Sequence, residues 1–313
     1  MICRKYLSIT YQQTEGRKRR QGMNLAELIY KRFSGAEGLT KYLARFSGYP
    51  AIFDPEAPDE NHEGWGGKTQ YPRVTYNFDL QVSEERKSAG ILAVSLFCQN
   101  TAEVIPEIIE PEIKKCLRDV LLRPEGGSLY AFTWARTDAF TLSEEKKDLI
   151  IGSDIRFDIL EYTSQETTDP DPIMAANKYI KELYPDSMVI GIDRMGETTE
   201  ATKEVPVIYC RLTAIEKAEE TNTVAWMDGK IAVHVLCPDS ETRMKMATAI
   251  ANRMSLDGEI IMLDNSPMFI KRLQANYKSD YLKDGQIFAT VHYGLLRYKA
   301  KPHGLRHTEF DYQ

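Results

Sequence analysis

From Asn24 the apolar positions recur at helical spacing: Leu25, Leu28, Ile29 and Phe33, with Asn24 placed as the N-cap. Gly35 and Gly38 interrupt the pattern. A second short helix then carries Leu39, Tyr42, Leu43 and Phe46, and Gly48 and Pro50 close it. Ala51 to Phe53 reads as short and extended. The stretch DPEAPDENHEGWGGKTQ (54–70) is acidic and rich in Gly and Pro, which predicts a long exposed loop. From Tyr71 to Leu80 the period drops to two. Val74, Tyr76 and Phe78 face one way and Arg73, Thr75 and Asn77 the other, a half-buried strand entered through Pro72. SEERKS (83–88) is a polar turn, and the dense apolar run Ile91 to Cys98 predicts a strand covered on both faces. Thr101 is placed to cap an amphipathic helix reaching Leu122, with Ile113, Cys116, Leu117, Val120 and Leu121 on its stripe and a kink at Pro111. Leu129 to Ala135 and Leu149 to Tyr162 read as closing strands.

TSQETTDP (163–170) is polar and without period, as a linker would be. The same order of elements then starts again. Pro172 opens a helix with Ile173, Ala176, Ile180 and Leu183 on its apolar side, and Met188 to Ile192 is a short strand. Strands at Val205 to Leu212 and Thr223 to Cys237 precede a helix from Ser240 to Met254. Strands at Glu259 to Leu263, Met268 to Tyr277 and Gln286 to Tyr298 complete the series.

Three segments recur in order. Ala93 to Cys98 aligns with Ala232 to Cys237 at an offset of 139, and the hydroxyl residues Thr101 and Ser240 follow at the same offset. Tyr71 to Val74 aligns with Val205 to Ile208 at 134, and Ile155 to Tyr162 with Val291 to Tyr298 at 136. Each match is weak alone; three in one order with nearly constant offsets predict a duplication. The expected fold is α+β, in two tandem similar domains. Each would hold a mixed or antiparallel sheet of about four to five strands packed with two helices. The expected boundaries are a basic arm at 1–22, a first domain at 23–162, a linker at 163–171, a second domain at 172–298 and a tail at 299–313.

A length of 313 residues suits two such domains. The chain is 42% hydrophobic with a net charge of -6, so no global positive field recruits nucleic acid, and no apolar run is long enough to span a membrane. Cys3, Cys98, Cys116, Cys210 and Cys237 form no CxxC pair, which predicts a reducing compartment and neither disulfides nor zinc. Arg17 to Arg20 form the only basic cluster of the arm, and Met23 is an alternative start to Met1.

Candidate chemistry is sparse. Gly66-Gly67-Lys68-Thr69 echoes a phosphate loop, but the first glycine of that motif would fall at His62, and a strand follows where a helix is needed. Glu84-Glu85, Glu144-Glu145 and Glu219-Glu220 sit in polar turns without the apolar surroundings that raise a catalytic pKa. His234 and His292 alternate with apolar residues on strands and read as packed or solvent-facing. No cofactor, metal or catalytic residue is expected. The residues expected to touch partners are Trp65, Lys68, Tyr71 and Arg73 around the first loop, and Glu84 and Arg86 at the hairpin tip, with Trp65 as contact anchor.

Tyr71-Pro72-Arg73-Val74 after a loop, the strand Ile91 to Cys98, the helix from Thr101 and the last strand Ile155 to Tyr162 resemble the tail terminator, or tail-completion and minor capsid, proteins of tailed bacteriophages and phage-like contractile particles. The second series repeats the scheme from Val205-Pro206 to Tyr298. The family usually carries one such unit and this chain carries two. The resemblance implies a structural, non-enzymatic virion protein, assembled in the bacterial cytoplasm. It would close a homohexameric ring on the tail tube protein, with sheath and head–tail connector proteins as further neighbours. A neck, sheath or baseplate adaptor is the alternative. A metal-dependent nuclease using Asp54 or Asp59 ranks last.

Overall fold

The computed structural model describes residues 23–59, 62, 65, 70–81, 88–100, 103–143, 149–163 and 168–297. The basic arm, the tail, Lys68, Glu84, Arg86 and Thr101 lie outside the described residues.

The first half begins with α1 (Leu25–Ser34) and α2 (Glu37–Thr40), the ribbon β1 (Arg45–Phe46) and β2 (Tyr49–Pro50), then β3 (Ile52–Phe53), β4 (Arg73–Asp79) and β5 (Gly90–Gln99). It continues with α3 (Pro106–Leu117), β6 (Val120–Leu122), β7 (Leu129–Ser143) and β8 (Leu149–Tyr162). The second half runs α4 (Pro172–Leu183), β9 (Met188–Val189), β10 (Thr198–Glu200), β11 (Val207–Glu220), β12 (Val224–Leu236), α5 (Ser240–Asp257), β13 (Glu259–Ile261), β14 (Pro267–Ala275) and β15 (Ile287–Leu296).

Capping chemistry sets the helix starts. Asn24 and Glu27 form a reciprocal capping box, the Glu27 amide donating to Asn24 Oδ1 at 2.9 Å and the Asn24 amide to Glu27 Oε2 at 3.0 Å. Asp171 accepts from the amides of Ile173 and Met174 ahead of α4. At α5 the cap is Asp239, accepting from the Thr242 amide at 2.8 Å, and not Ser240, because the carboxylate one residue earlier reaches the free N–H first. The predicted helix reaching Leu122 is shorter: α3 spans Pro106–Leu117 and contains Pro111. The backbone leaves the helix at Arg118, which is extended (ψ 129°), and Asp119, left-handed at φ 55°, then turns the chain into the strand Val120–Leu122. The second predicted helix is also shorter, since Phe46 belongs to β1.

Each sheet holds more strands than the expected four to five. The first has seven, in the order β10-β6-β7-β8-β5-β4-β3; the second has six, β13-β14-β15-β12-β11-β9. Of the short strands, β3, β9 and β13 lie in segments expected to be extended, whereas β6 falls where a helix is expected and β10 where no element is. Without β10, the two orders match strand for strand in chain order. In each, the far edge pair (β3 with β4, β9 with β11) is parallel and the other described pairs are antiparallel. Helices α1 and α2 precede the first sheet and α4 the second, and one further helix (α3 or α5) sits between the central strand and the short edge strand of each.

The register agrees with two of the three sequence offsets. Arg73 lies opposite Phe97 and Val207 opposite Leu236, consistent with 134 and 139. The third shifts: Ala93 pairs with Arg156 and Ala232 with Phe288, so the last strands correspond at 132 and not 136. The difference is even, every side chain keeps its face, and an alternating pattern gives no signal for such a slip.

Two cores fill the spaces between helices and sheets. Leu28, Phe33, Leu92, Leu96, Ile113 and Phe157 belong to the first, and Ile180, Ile208, Val233, Ile250, Met254 and Val291 to the second. A third core belongs to neither half alone. Leu121, Leu129, Ala131, Leu160 and Tyr162 from the first sheet pack with Ile190, Met195, Val207, Tyr209, Leu236 and Leu282.

Candidate interaction surfaces

The first loop does not present Trp65. Its side chain is 2% exposed, its Nε1 donates to the Pro58 carbonyl at 3.2 Å, and its ring packs edge-on against Phe46 (5.1 Å) and Phe53 (5.4 Å). This corrects the contact-anchor reading. The acidic, glycine-rich composition around Trp65 signals exposure, but the two phenylalanines that cover it come from β1 and β3, distant in the pattern. His62 completes the cluster, 5.1 Å from the Phe46 ring. The two predicted loops also lie apart. One precedes β4 and the other follows it, so they occupy opposite ends of a strand roughly 20 Å long.

Tyr71 and Arg73 stand together beside that loop. The Arg73 guanidinium lies over the Tyr71 ring (4.9 Å) and the Phe97 ring (5.1 Å), and donates to the Gln70 side chain. Its Nε is buried without a hydrogen-bond partner among the described residues. A cavity of about 400 Å³ opens here, with Pro55, Pro58, Arg73, Thr75 and Phe97 in its wall. These strand residues point away from the helices. Along the same face the Phe97 and Phe140 rings meet edge-on at 5.3 Å over Gly152, and Ser95 donates to Asp154 Oδ1 at 2.5 Å. Among the described residues no helix packs on this face.

The junction of the halves shows what such a face can receive. Leu121, Leu129, Ala131, Leu160 and Tyr162 alternate with core residues of the first sheet, and Val207, Tyr209 and Leu236 alternate with those of the second. The sheets therefore meet through the faces opposite their helices. Strand β10 adds antiparallel to the edge strand β6, with Thr199 opposite Leu121. Hydrogen bonds tie the seam: Tyr162 to the Leu282 carbonyl (2.7 Å), Tyr209 to the Thr163 carbonyl (3.1 Å) and Tyr281 to Asp119 (2.5 Å). Lys31 with Glu197 (3.6 Å) and Arg32 with Glu200 add ion pairs from α1, along a cleft of about 660 Å³ that Glu112 and Lys115 also line. His234 is buried in the seam, its Nδ1–H donating to the Tyr281 carbonyl at 2.9 Å. Burial, and then Arg211, push its pKa down to about 4.

The second sheet carries a corresponding face that no helix among the described residues covers. The Trp226 and His292 rings stack in parallel at 4.8 Å. His292 Nδ1 is 2.7 Å from Asp228 Oδ1, Lys271 Nζ is 3.2 Å from the same oxygen, and Glu219 approaches His292 Nε2 at 4.0 Å. The hydrogen bond from His292, more than Lys271, holds Asp228 below the usual carboxylate range. Phe269, 39% exposed, lies directly across from His292. The sequence places His292 next to no carboxylate, because Asp228 is brought to it only by the pairing of β12 with β15.

Burial governs the thiols. It pushes Cys98 and Cys210 up to about 12 and Cys116 up to about 11, so none is a thiolate at neutral pH. Among the described residues no three His, Cys, Asp or Glu side chains gather as metal ligands, and no helix is long and apolar enough to cross a membrane.

No protein-family model matches the chain. No curated protein matches it either. A solved structure described as the virion of a native gene transfer agent particle is similar over 44% of this chain and 94% of its own, with 16% identity and a TM-score of 0.32.

Proposed function

We propose that the chain is a structural component of a phage or phage-like contractile particle, built from two copies of one unit. In this reading it caps the tail tube as a ring and joins it to the head connector, with no enzymatic step. The observation that carries the reading is the seam: one α+β unit receives another through an added strand and a shared apolar core. That is how subunits of a ring dock. The open faces at Arg73–Phe97 and Trp226–His292 offer further docking surfaces. The buried thiols and the packing of Trp65 inside its own loop fit an assembly part.

The test is electron microscopy of particles assembled without the protein. Tails of uncontrolled length are expected. Normal tail lengths with detached heads or missing sheath would instead make it a neck or sheath adaptor, and intact, infectious particles would overturn a structural role.

A further inference from the structure

The contact between the halves is heterologous. The first sheet contributes β6, the start of β7 and the end of β8; the second contributes the start of β11 and the end of β12. These are non-matching places on two sheets of matching order. Each half therefore keeps the surface that the other has used.

The registers identify those surfaces residue by residue. Ala131 pairs with Leu160 in the seam, and their counterparts are Phe269 and His292, which pair with each other. Tyr162 corresponds to Gly294, whose strand partner is Trp226. On the receiving side, Val207 and Leu236 correspond to Arg73 and Phe97, paired in the same way. One unused surface is thus aromatic and part-exposed. The other holds a cavity and a buried Arg73 Nε without a hydrogen-bond partner among the described residues. Both carry charges of each sign: Asp228, Glu219 and Lys271 on one, Glu56, Asp59 and Arg73 on the other.

We infer that the seam is repeated between chains, the Trp226–His292–Phe269 face of one copy docking on the Arg73–Phe97 face of a second copy. The occupant is another molecule of this chain, because the places equivalent to these two faces already bind one another inside it. A head-to-tail contact of this kind propagates until it closes, so a closed ring holds half as many chains as units. The inference rests on the matching sheet orders and not on tail capping, and its test needs no tail.

The experiment is native mass spectrometry and sedimentation of the full chain and of two variants, Trp226→Ala and Arg73→Glu. The wild type is expected to self-associate. Each variant alone is expected to be monomeric, its association weakened by about tenfold or more, as for loss of a buried anchor. Mixed one to one, the two variants keep one intact face each and are expected to form dimers and stop there. A second pair, Phe269→Ser and Thr75→Arg, with circular dichroism on all four, separates misfolding from lost docking. Wild type that stays monomeric to about 100 µM, far above the Kd of a specific interface, would overturn the inference. So would variants that assemble like wild type, or a mixture that yields no dimer.

Discussion

The phenol of Tyr281 donates a 2.5 Å hydrogen bond to Oδ1 of Asp119, joining residues 162 apart in the chain and on opposite sides of the seam. Asp119 serves three purposes at once. Its left-handed backbone turns the chain from α3 toward β6, its carbonyl accepts from the Ala201 amide at 3.0 Å, and its carboxylate holds Tyr281. Arg243 lies 4.0 Å over the same tyrosine ring. Both halves depend on this one position.

Asp119→Ala therefore removes a charge-assisted bond and strains a left-handed residue. We expect a loss of about 2–3 kcal/mol in urea unfolding. Asp119→Asn, which tolerates that backbone and still accepts from Tyr281, should lose about 1 kcal/mol. Equal losses in the two variants would contradict this assignment.

His234 gives the seam a pH dependence. Its folded pKa, about 4, lies below the ordinary histidine value, so the unfolded chain binds the proton more readily. Stability from this group is full above about pH 6.5 and falls as pH drops toward 4. The expected loss between pH 7 and pH 5 is about 2 kcal/mol. The readout is the difference in unfolding free energy between wild type and His234→Gln at each pH, which should shrink on acidification. A difference independent of pH would show that His234 does not titrate this way.

Trp65→Ala should behave as a core truncation. The ring is enclosed by Phe46, Phe53 and His62, so a loss of about 3 kcal/mol is expected in thermal or urea unfolding. A fully stable variant that had lost only partner binding would restore the contact-anchor reading.

Gly152 is closed to any side chain. A Cβ there would come within 2.2 Å of Phe140 Cζ and 2.3 Å of the Leu96 carbonyl oxygen. Gly152→Ala should cost about 2–3 kcal/mol through displacement of Phe140. The paired variant Gly152→Ala with Phe140→Ala should recover part of that loss, and the difference measures the clash.

Much of the fold was legible because its elements announce themselves by period. The helix from Leu25 with its Asn24 cap, the alternation through Val74 and Tyr76, the helix after Pro172 and the recurring strand–helix order all survive in the structure. Strands of two or three residues carry little period: the extended segments at β3, β9 and β13 are legible, but β6 reads as the end of a helix and β10 gives no signal at all. Of the expected contact residues, Arg73 lines a cavity and lies over the Tyr71 ring, while Trp65 turns inward.

By itself, then, the sequence determined the longer helices and strands and which of their faces are apolar, because local geometry converts residue spacing directly into sides, but it misread β1 and β6 and gave no sign of β10. It also carried the repetition of that order. Only the tertiary structure decided the register of the last strands, the pairing of His292 with Asp228, and the seam in which β10 joins the first sheet. Each of those brings together residues far apart in the chain. An alternating strand that slips by an even number of residues looks the same to its own sequence, so the choice falls to the long-range packing of the two sheets.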